Sequence, residues 1–185
     1  MTDRDRKLIE AARDVFGRYG VAKTTMADIA RAAGVARQTL YNAYAGKDEV
    51  LRAAVRLSMR ESEEAVEAAW ADCDSLDAYL EAFFQLVPLG WYDFAQKSPE
   101  AAEIMEGVHR VAAEEVAQAA RDWSARFQQL LDAQLPADHA MRDQIPAVAD
   151  YIFASSVNAK YGVENRAQLA DRLKVLKLSI LSLLA

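Results

Sequence analysis

Residues Thr25 to Lys47 read TMADIARAAGVARQTLYNAYAGK. The spacing predicts two short helices around a glycine turn. Thr25 caps the first helix, and Asp28 answers it three residues on, a capping box with Asp in place of Glu. Met26, Ile29, Ala30 and Ala33 recur at helical spacing and give that helix its buried stripe. Gly34 makes the turn. The second helix covers about Ala36 to Ala43. Leu40 faces inward, and Arg37, Gln38, Thr39, Tyr41 and Asn42 are spread over the rest of its surface. Gly46 ends the unit. This is the layout of a helix-turn-helix, whose second helix reads the DNA major groove.

A helix over Arg4 to Tyr19 precedes this unit, with Leu8, Ile9, Ala12, Val15 and Phe16 on one stripe and Gly20 at its C′ position. A long helix follows from Lys47 past Trp70, with Asp48 and Glu49 in its first turn, where the macrodipole favours anions. Ser75 caps a helix through Tyr79, Phe83 and Val87, which Pro88 and Gly90 interrupt amid Trp91, Tyr92 and Phe94. Ser98-Pro99-Glu100 starts the next helix, which runs past Leu130 with a kink expected near Gly107. Leu135 to Ile145 reads as a loop. A helix from Ala147 to Tyr161 ends at Gly162, and Asn165 with Gln168 opens the last one. No segment carries strand alternation, so the chain is expected to be all-α, with about nine helices.

Composition agrees. The chain is 52% hydrophobic and 27% charged, enough for a core without the bias of a disordered chain. Net charge is −6, which excludes a broadly basic nucleic-acid coat. The sign is uneven: residues 1–50 carry net +2 and residues 51–185 net −8, which fits DNA contact confined to one end. Cys73 is the only cysteine, so no intramolecular disulfide forms. The opening residues are too charged for a signal peptide, and Lys174 and Lys177 interrupt the apolar C-terminus, so no membrane partner is expected and the cytoplasm is the default location.

Thr25-Met26-x-x-Ile29-Ala30-x-x-Ala33-Gly34-Val35, followed by Thr39-Leu40-Tyr41-x-x-Tyr44-x-x-Lys47, resembles the N-terminal domain of TetR-type transcriptional repressors. The likeness covers roughly residues 5–55. It implies a three-helix DNA-binding domain at residues 1–48 and a helical ligand-binding and dimerisation domain at residues 49–185. It also implies a homodimer on a palindromic double-stranded DNA operator, released by a small-molecule effector. Arg37 and Gln38, in the first turn of the reading helix, suit guanine and adenine edges, and Asn42 can join them from the next turn. Thr25, Thr39, Tyr41 and Lys47 match positions that hold phosphates in the family. Ala36, Gln38, Ala43 and Ala27 depart from its pattern. Ala36 in particular withholds the side-chain cap the reading helix needs.

In the body, the last two helices read as the dimer seam, with Ala154 on one and Leu169, Leu173, Leu176, Ile180 and Leu183 along the other. An effector pocket is expected among Phe83, Trp91, Tyr92, Phe94, Met105, His109, Trp123, Phe127 and Tyr151, and a hydrophobic ligand suits such walls. No cofactor, metal site or catalytic group is expected. Glu106-x-x-His109 has the spacing of half a di-iron carboxylate site, but His139 has Pro136 where the second half needs its Glu. The alternative function is a helical small-molecule binder or carboxylate enzyme with a non-functional DNA-binding head.

Overall fold

The structure, a computed structural model, describes residues 2–185, without the side chains of 102, 103, 105–107 and 109. Every regular element described is helical. The α-helices are α1 Asp3–Lys23, α2 Met26–Ala32, α3 Arg37–Ala43, α4 Lys47–Trp70, α5 Leu76–Phe84, α6 Gly90–Ala95, α7 Pro99–Val111, α8 Ala113–Gln134, α9 Ile145–Asn158 and α10 Arg166–Leu183. A π-helical turn spans Gln85–Leu89, and a 3-10 turn spans Arg142–Gln144. Two compact units result: Met1–Glu61 with Phe94–Val116, and Ser62–Asp93 with Ala117–Ala185.

In the first unit, local signals set each helix boundary. The regular part of α1 stops at Gly20, whose φ of 75° is open to glycine at little cost. The buried Thr24 hydroxyl then donates to the Gly20 carbonyl at 2.7 Å, so the kink leaves neither group unpaired. Gly34, at φ 64°, turns the chain between α2 and α3. The core joins Leu8, Ile9, Ala12 and Phe16 of α1 to Met26, Ile29 and Ala30 of α2, Leu40 of α3, and Val50, Leu51, Ala54 and Leu57 of α4. Arg6 and Arg13 of α1 both donate to Glu61 of α4. Helix α7 packs on α1, with Ile104 and Val111 against the same core. The compact head is therefore wider than residues 1–48, because α4 supplies a face of its core.

The helix expected to continue from Pro99 past Leu130 is two helices. The break falls at Ala112, where φ −118° and ψ 32° end α7. The expected kink at Gly107 lies outside the described residues. With α6 a helix of its own, the α-helices among the described residues number ten, in keeping with the expected all-α chain of about nine.

The second unit is built on one apolar cluster, with Leu80, Phe83, Phe127, Leu131, Ile152, Leu169 and Ile180 showing no exposed surface. Pro88 and Gly90 do not open the chain. Helix α5 runs into the π turn, whose Val87, Pro88 and Leu89 are buried, and then into α6. Proline has no N–H to give the ladder, and the wider turn makes room for its ring. Lys177, whose side chain is only 14% exposed, lies between Asp77 at 3.0 Å and Glu81 at 2.9 Å. Beyond α9, the Arg172 guanidinium donates to the carbonyls of Ala159, Tyr161 and Gly162 at 3.0, 2.7 and 3.2 Å.

The leucine seam on α10 faces a different way from that expected. Leu169, Leu173 and Ile180 are buried within the protomer's own core. Side chains with at most 2% of their surface exposed have next to none to give to a partner, so these three are core residues. Leu176 is partly buried against the same cluster, and Ala154 is half-buried. Leu183 is 46% exposed, beside Val175 at 63% and Leu178 at 57%. The outward apolar face of α10 is thus Val175, Leu178 and Leu183.

Candidate nucleic-acid interface

Helices α2 and α3 hold the residues expected to meet DNA. Thr25 caps α2 from extended backbone. Its hydroxyl accepts from the Asp28 amide at 3.2 Å and donates to the Asp28 carboxylate at 2.6 Å. The Thr25 amide donates to that carboxylate as well, at 3.1 Å. These bonds hold the Asp28 carboxyl below its ordinary pKa, the hydroxyl contributing most. The capping box is complete despite Asp replacing Glu. In it the hydroxyl proton of Thr25 is already given to Asp28.

Helix α3 has one buried residue, Leu40. Its N-cap, Ala36, makes no side-chain bond, as its methyl requires. Outward, α3 carries two columns at i,i+4 spacing. In one, the Arg37 guanidinium lies 5.5 Å from the centre of the Tyr41 ring and donates to its hydroxyl at 3.4 Å. In the other, Gln38 Nε2 donates to Asn42 Oδ1 at 2.9 Å. All four residues are exposed, and Thr39 is half-buried. Tyr44 packs against the head's core, and burial raises its phenol pKa.

Lys47 has a structural role that sequence reasoning missed. Its Nζ donates to the carbonyls of Val21 and Ala22 at 2.6 and 3.2 Å. An ammonium at those carbonyls satisfies a helix end and complements its dipole. Two of its three donors are used this way, leaving one for a phosphate. The head also holds a groove of about 560 Å³ between α1 and α2, lined in part by Asp14, Arg18, Tyr19, Lys23 and Arg31. The only sequence signal for it is the spacing of Asp14 and Arg18 at i,i+4, off the buried stripe.

The expected pocket residues scatter. Phe83, Trp123 and Phe127 are buried in the second unit's core, with ring centres 4.8 Å apart for Phe83–Trp123 and 4.9 Å for Phe83–Phe127. Trp70 joins this cluster edge-on. Trp91 and Tyr92 pack at its border, and Tyr151 is half-exposed. Phe94 belongs to the first unit, with Lys97 Nζ 5.8 Å from its ring centre. Met105, His109 and Glu106 lie outside the described residues. Among the described residues, no group of three or more His, Cys, Asp or Glu is placed to hold a metal. No helix described is long and apolar enough to cross a membrane.

A glycine turn between a capped helix and a short helix with an outward polar face defines a helix-turn-helix DNA-binding head. Residues 8–54 match the family described as bacterial regulatory proteins, tetR family. An HTH-type transcriptional regulator of Pseudomonas putida, ArpR, is 39% identical over 71 residues, spanning 38% of this chain and 33% of that relative. Among solved structures, a TetR-family transcriptional regulator from Pectobacterium atrosepticum superposes with a TM-score of 0.72 at 24% identity, over 98% of this chain and 94% of that one. The TetR-family repressor AlkX from Dietzia follows at 0.65 and 18%, over 98% and 96%. FadR from Bacillus halodurans follows at 0.62 and 15%, over 95% of each chain. Residues 8–54 thus match the tetR-family DNA-binding head, and the whole chain shares the fold of these TetR-family structures.

Proposed function

We propose that this chain is a dimeric, sequence-specific DNA-binding repressor acting in the cytoplasm, released from a palindromic operator by a small hydrophobic effector. The observation that carries the reading is α3. It is anchored by Leu40 alone and presents Arg37, Gln38, Tyr41 and Asn42 outward. Arg37 and Gln38 meet base edges, with Asn42 bonded to Gln38 beside them. Tyr41 accepts from Arg37 and keeps its own O–H for a phosphate oxygen, and Thr39 and the remaining donor of Lys47 supply further backbone contacts, whereas both donors of Thr25 are committed to Asp28. Two copies of α3 must sit about 34–36 Å apart to enter successive major grooves. The exposed face of α10 at Val175, Leu178 and Leu183, together with Ala154 on α9, is the pairing surface.

The effector class rests on the aromatic residues of the second unit and on two of the structural relatives. One is named as a fatty acid degradation regulator, the other as implicated in biodegradation of n-alkanes. A chain-like apolar ligand fits both. The close packing of Phe83, Trp123 and Phe127 favours a second reading, a regulator that answers to a protein partner through a filled core.

Two measurements test this. Binding of the full chain to its upstream intergenic DNA is compared with that of Arg37→Ala and Tyr41→Ala, with circular dichroism confirming the fold. The reading expects affinity to fall at least tenfold in each, and unchanged affinity overturns it. A thermal-shift series of fatty acids and alkanes then separates the two modes of control, because a ligand that prefers the native state raises its melting temperature.

A further inference from the structure

The reading face of α3 is organised before any DNA arrives. Gln38 Nε2 donates to Asn42 Oδ1 at 2.9 Å, although both side chains are exposed and water is free to take either place. The neighbouring column is pinned in the same way, with Arg37 against Tyr41. A long polar side chain such as glutamine loses rotamer freedom on binding, and a side chain already held loses less.

The donor count shows what the held pair offers. A glutamine amide has two N–H donors and a carbonyl with two lone pairs. One N–H of Gln38 is committed to Asn42. The other N–H and the whole Oε1 remain. One donor beside one acceptor on a single planar amide complements adenine in the major groove, where N7 accepts and N6–H donates. Guanine presents two acceptors at the same edge and leaves Oε1 without a partner. Cytosine and thymine each lack one half of the pattern.

We propose that Gln38 and Asn42 act as one reading unit that selects adenine at one position of each operator half-site, with Gln38 touching the base and Asn42 a positioning residue acting through Gln38. The assignment rests on the DNA-binding function proposed above. It makes Asn42 a holder of Gln38 rather than an independent reader of a second base.

The test is selection from a randomised duplex DNA library with the full-length chain, followed by competition binding on the selected site and its single-base variants. Wild type is expected to prefer adenine at one position per half-site by about tenfold or more. Gln38→Ala abolishes the preference there and leaves other positions unchanged. Asn42→Ala weakens the preference at that same position, and the double variant resembles Gln38→Ala alone. Asn42→Asp keeps the Oδ1 acceptor and restores the adenine preference, while phosphate repulsion lowers affinity on every sequence alike. Loss of preference at a different position in Asn42→Ala overturns the inference. So does a position governed by Gln38 that prefers another base, or an Asn42→Asp variant that fails to restore adenine. A wild-type chain that enriches no sequence defeats the DNA-reading function itself, whereas one that enriches a site indifferent to Gln38 defeats this inference alone.

Discussion

Replacing Ala36 with Ser should stabilise the reading helix. Among the described residues, five helices start on a side-chain cap whose oxygen accepts from the amide three residues on: Thr2 at 3.1 Å, Thr25 at 3.2 Å, Ser75 at 3.3 Å, Ser98 at 3.1 Å and Asn165 at 3.0 Å. Helix α3 has none. The backbone is already right for one, since Ala36 sits at φ −64°, ψ 143° and the capping Thr2 at φ −76°, ψ 160°. Ala36 is exposed, so a hydroxyl meets no steric barrier. The Thr39 amide already donates to the Ala36 carbonyl at 2.9 Å. That does not exclude the cap, because the Asp28 amide serves both the carbonyl and the hydroxyl of Thr25, at 3.1 and 3.2 Å. The gain is about 1 kcal/mol, the usual difference between a hydroxyl and a methyl at this position. For a chain of this length that is roughly 2–4 °C in melting temperature. Urea titration should show a higher midpoint with an unchanged slope. Hydrogen exchange should show added protection at the Thr39 amide. A midpoint equal to or below that of wild type, with Thr25→Ala losing stability as a control, would refute the capping argument.

Three further perturbations follow from the packing. Thr24→Val removes the donor to the buried Gly20 carbonyl while keeping the volume, and should cost about 1–3 kcal/mol; an unchanged urea midpoint would show that water reaches that carbonyl. The Lys177 site predicts pH dependence at both ends. Bonds from Gln85 and then Lys177 hold the Glu81 carboxyl below its ordinary 4.5, so its stabilisation is complete above that pH and is lost as pH falls through the lowered value. Burial pulls the Lys177 ammonium down, but Glu81 and Asp77 together outweigh it and raise its pKa above 10.5, so its contribution is present below that pH and lost as pH rises through the raised value. Lys177→Met should therefore lie within about 1 kcal/mol of wild type at neutral pH, because both carboxylates remain half-exposed to water; the gap should narrow toward acid, and a constant gap from pH 7 to pH 3 would be contrary evidence. Leu178→Glu should halve the mass in sedimentation without unfolding the chain, whereas Leu173→Glu, aimed into the core, should unfold it; a dimer that survives Leu178→Glu moves the pairing surface elsewhere.

What sequence disclosed here is what chemistry writes within four or five residues. Thr25 and Asp28 form their box as spaced, Gly20 and Gly34 take the positive φ their places demand, and Ser98-Pro99 opens a helix. What it concealed is long-range or directional. The carbonyls held by Lys47 lie 25 and 26 residues away, and the carboxylates held by Lys177 lie 96 and 100 away. A lysine shows its donors but not which acceptors folding will bring to it. Helix α10 fails for another reason: leucine and valine occupy nearly all sides of it, so periodicity cannot choose between Leu169-Leu173-Ile180 and Val175-Leu178-Leu183 as the inner face. Packing chose: Leu169, Leu173 and Ile180 of the expected seam became core, while Leu183 stayed outward. The reading face is the opposite case. Its two columns are i,i+4 pairs within one seven-residue helix, so each side chain's partner is set by local geometry. Base preference, if it resides in those columns, is then a local property of this chain, insulated from the long-range contacts that shape the rest of the molecule.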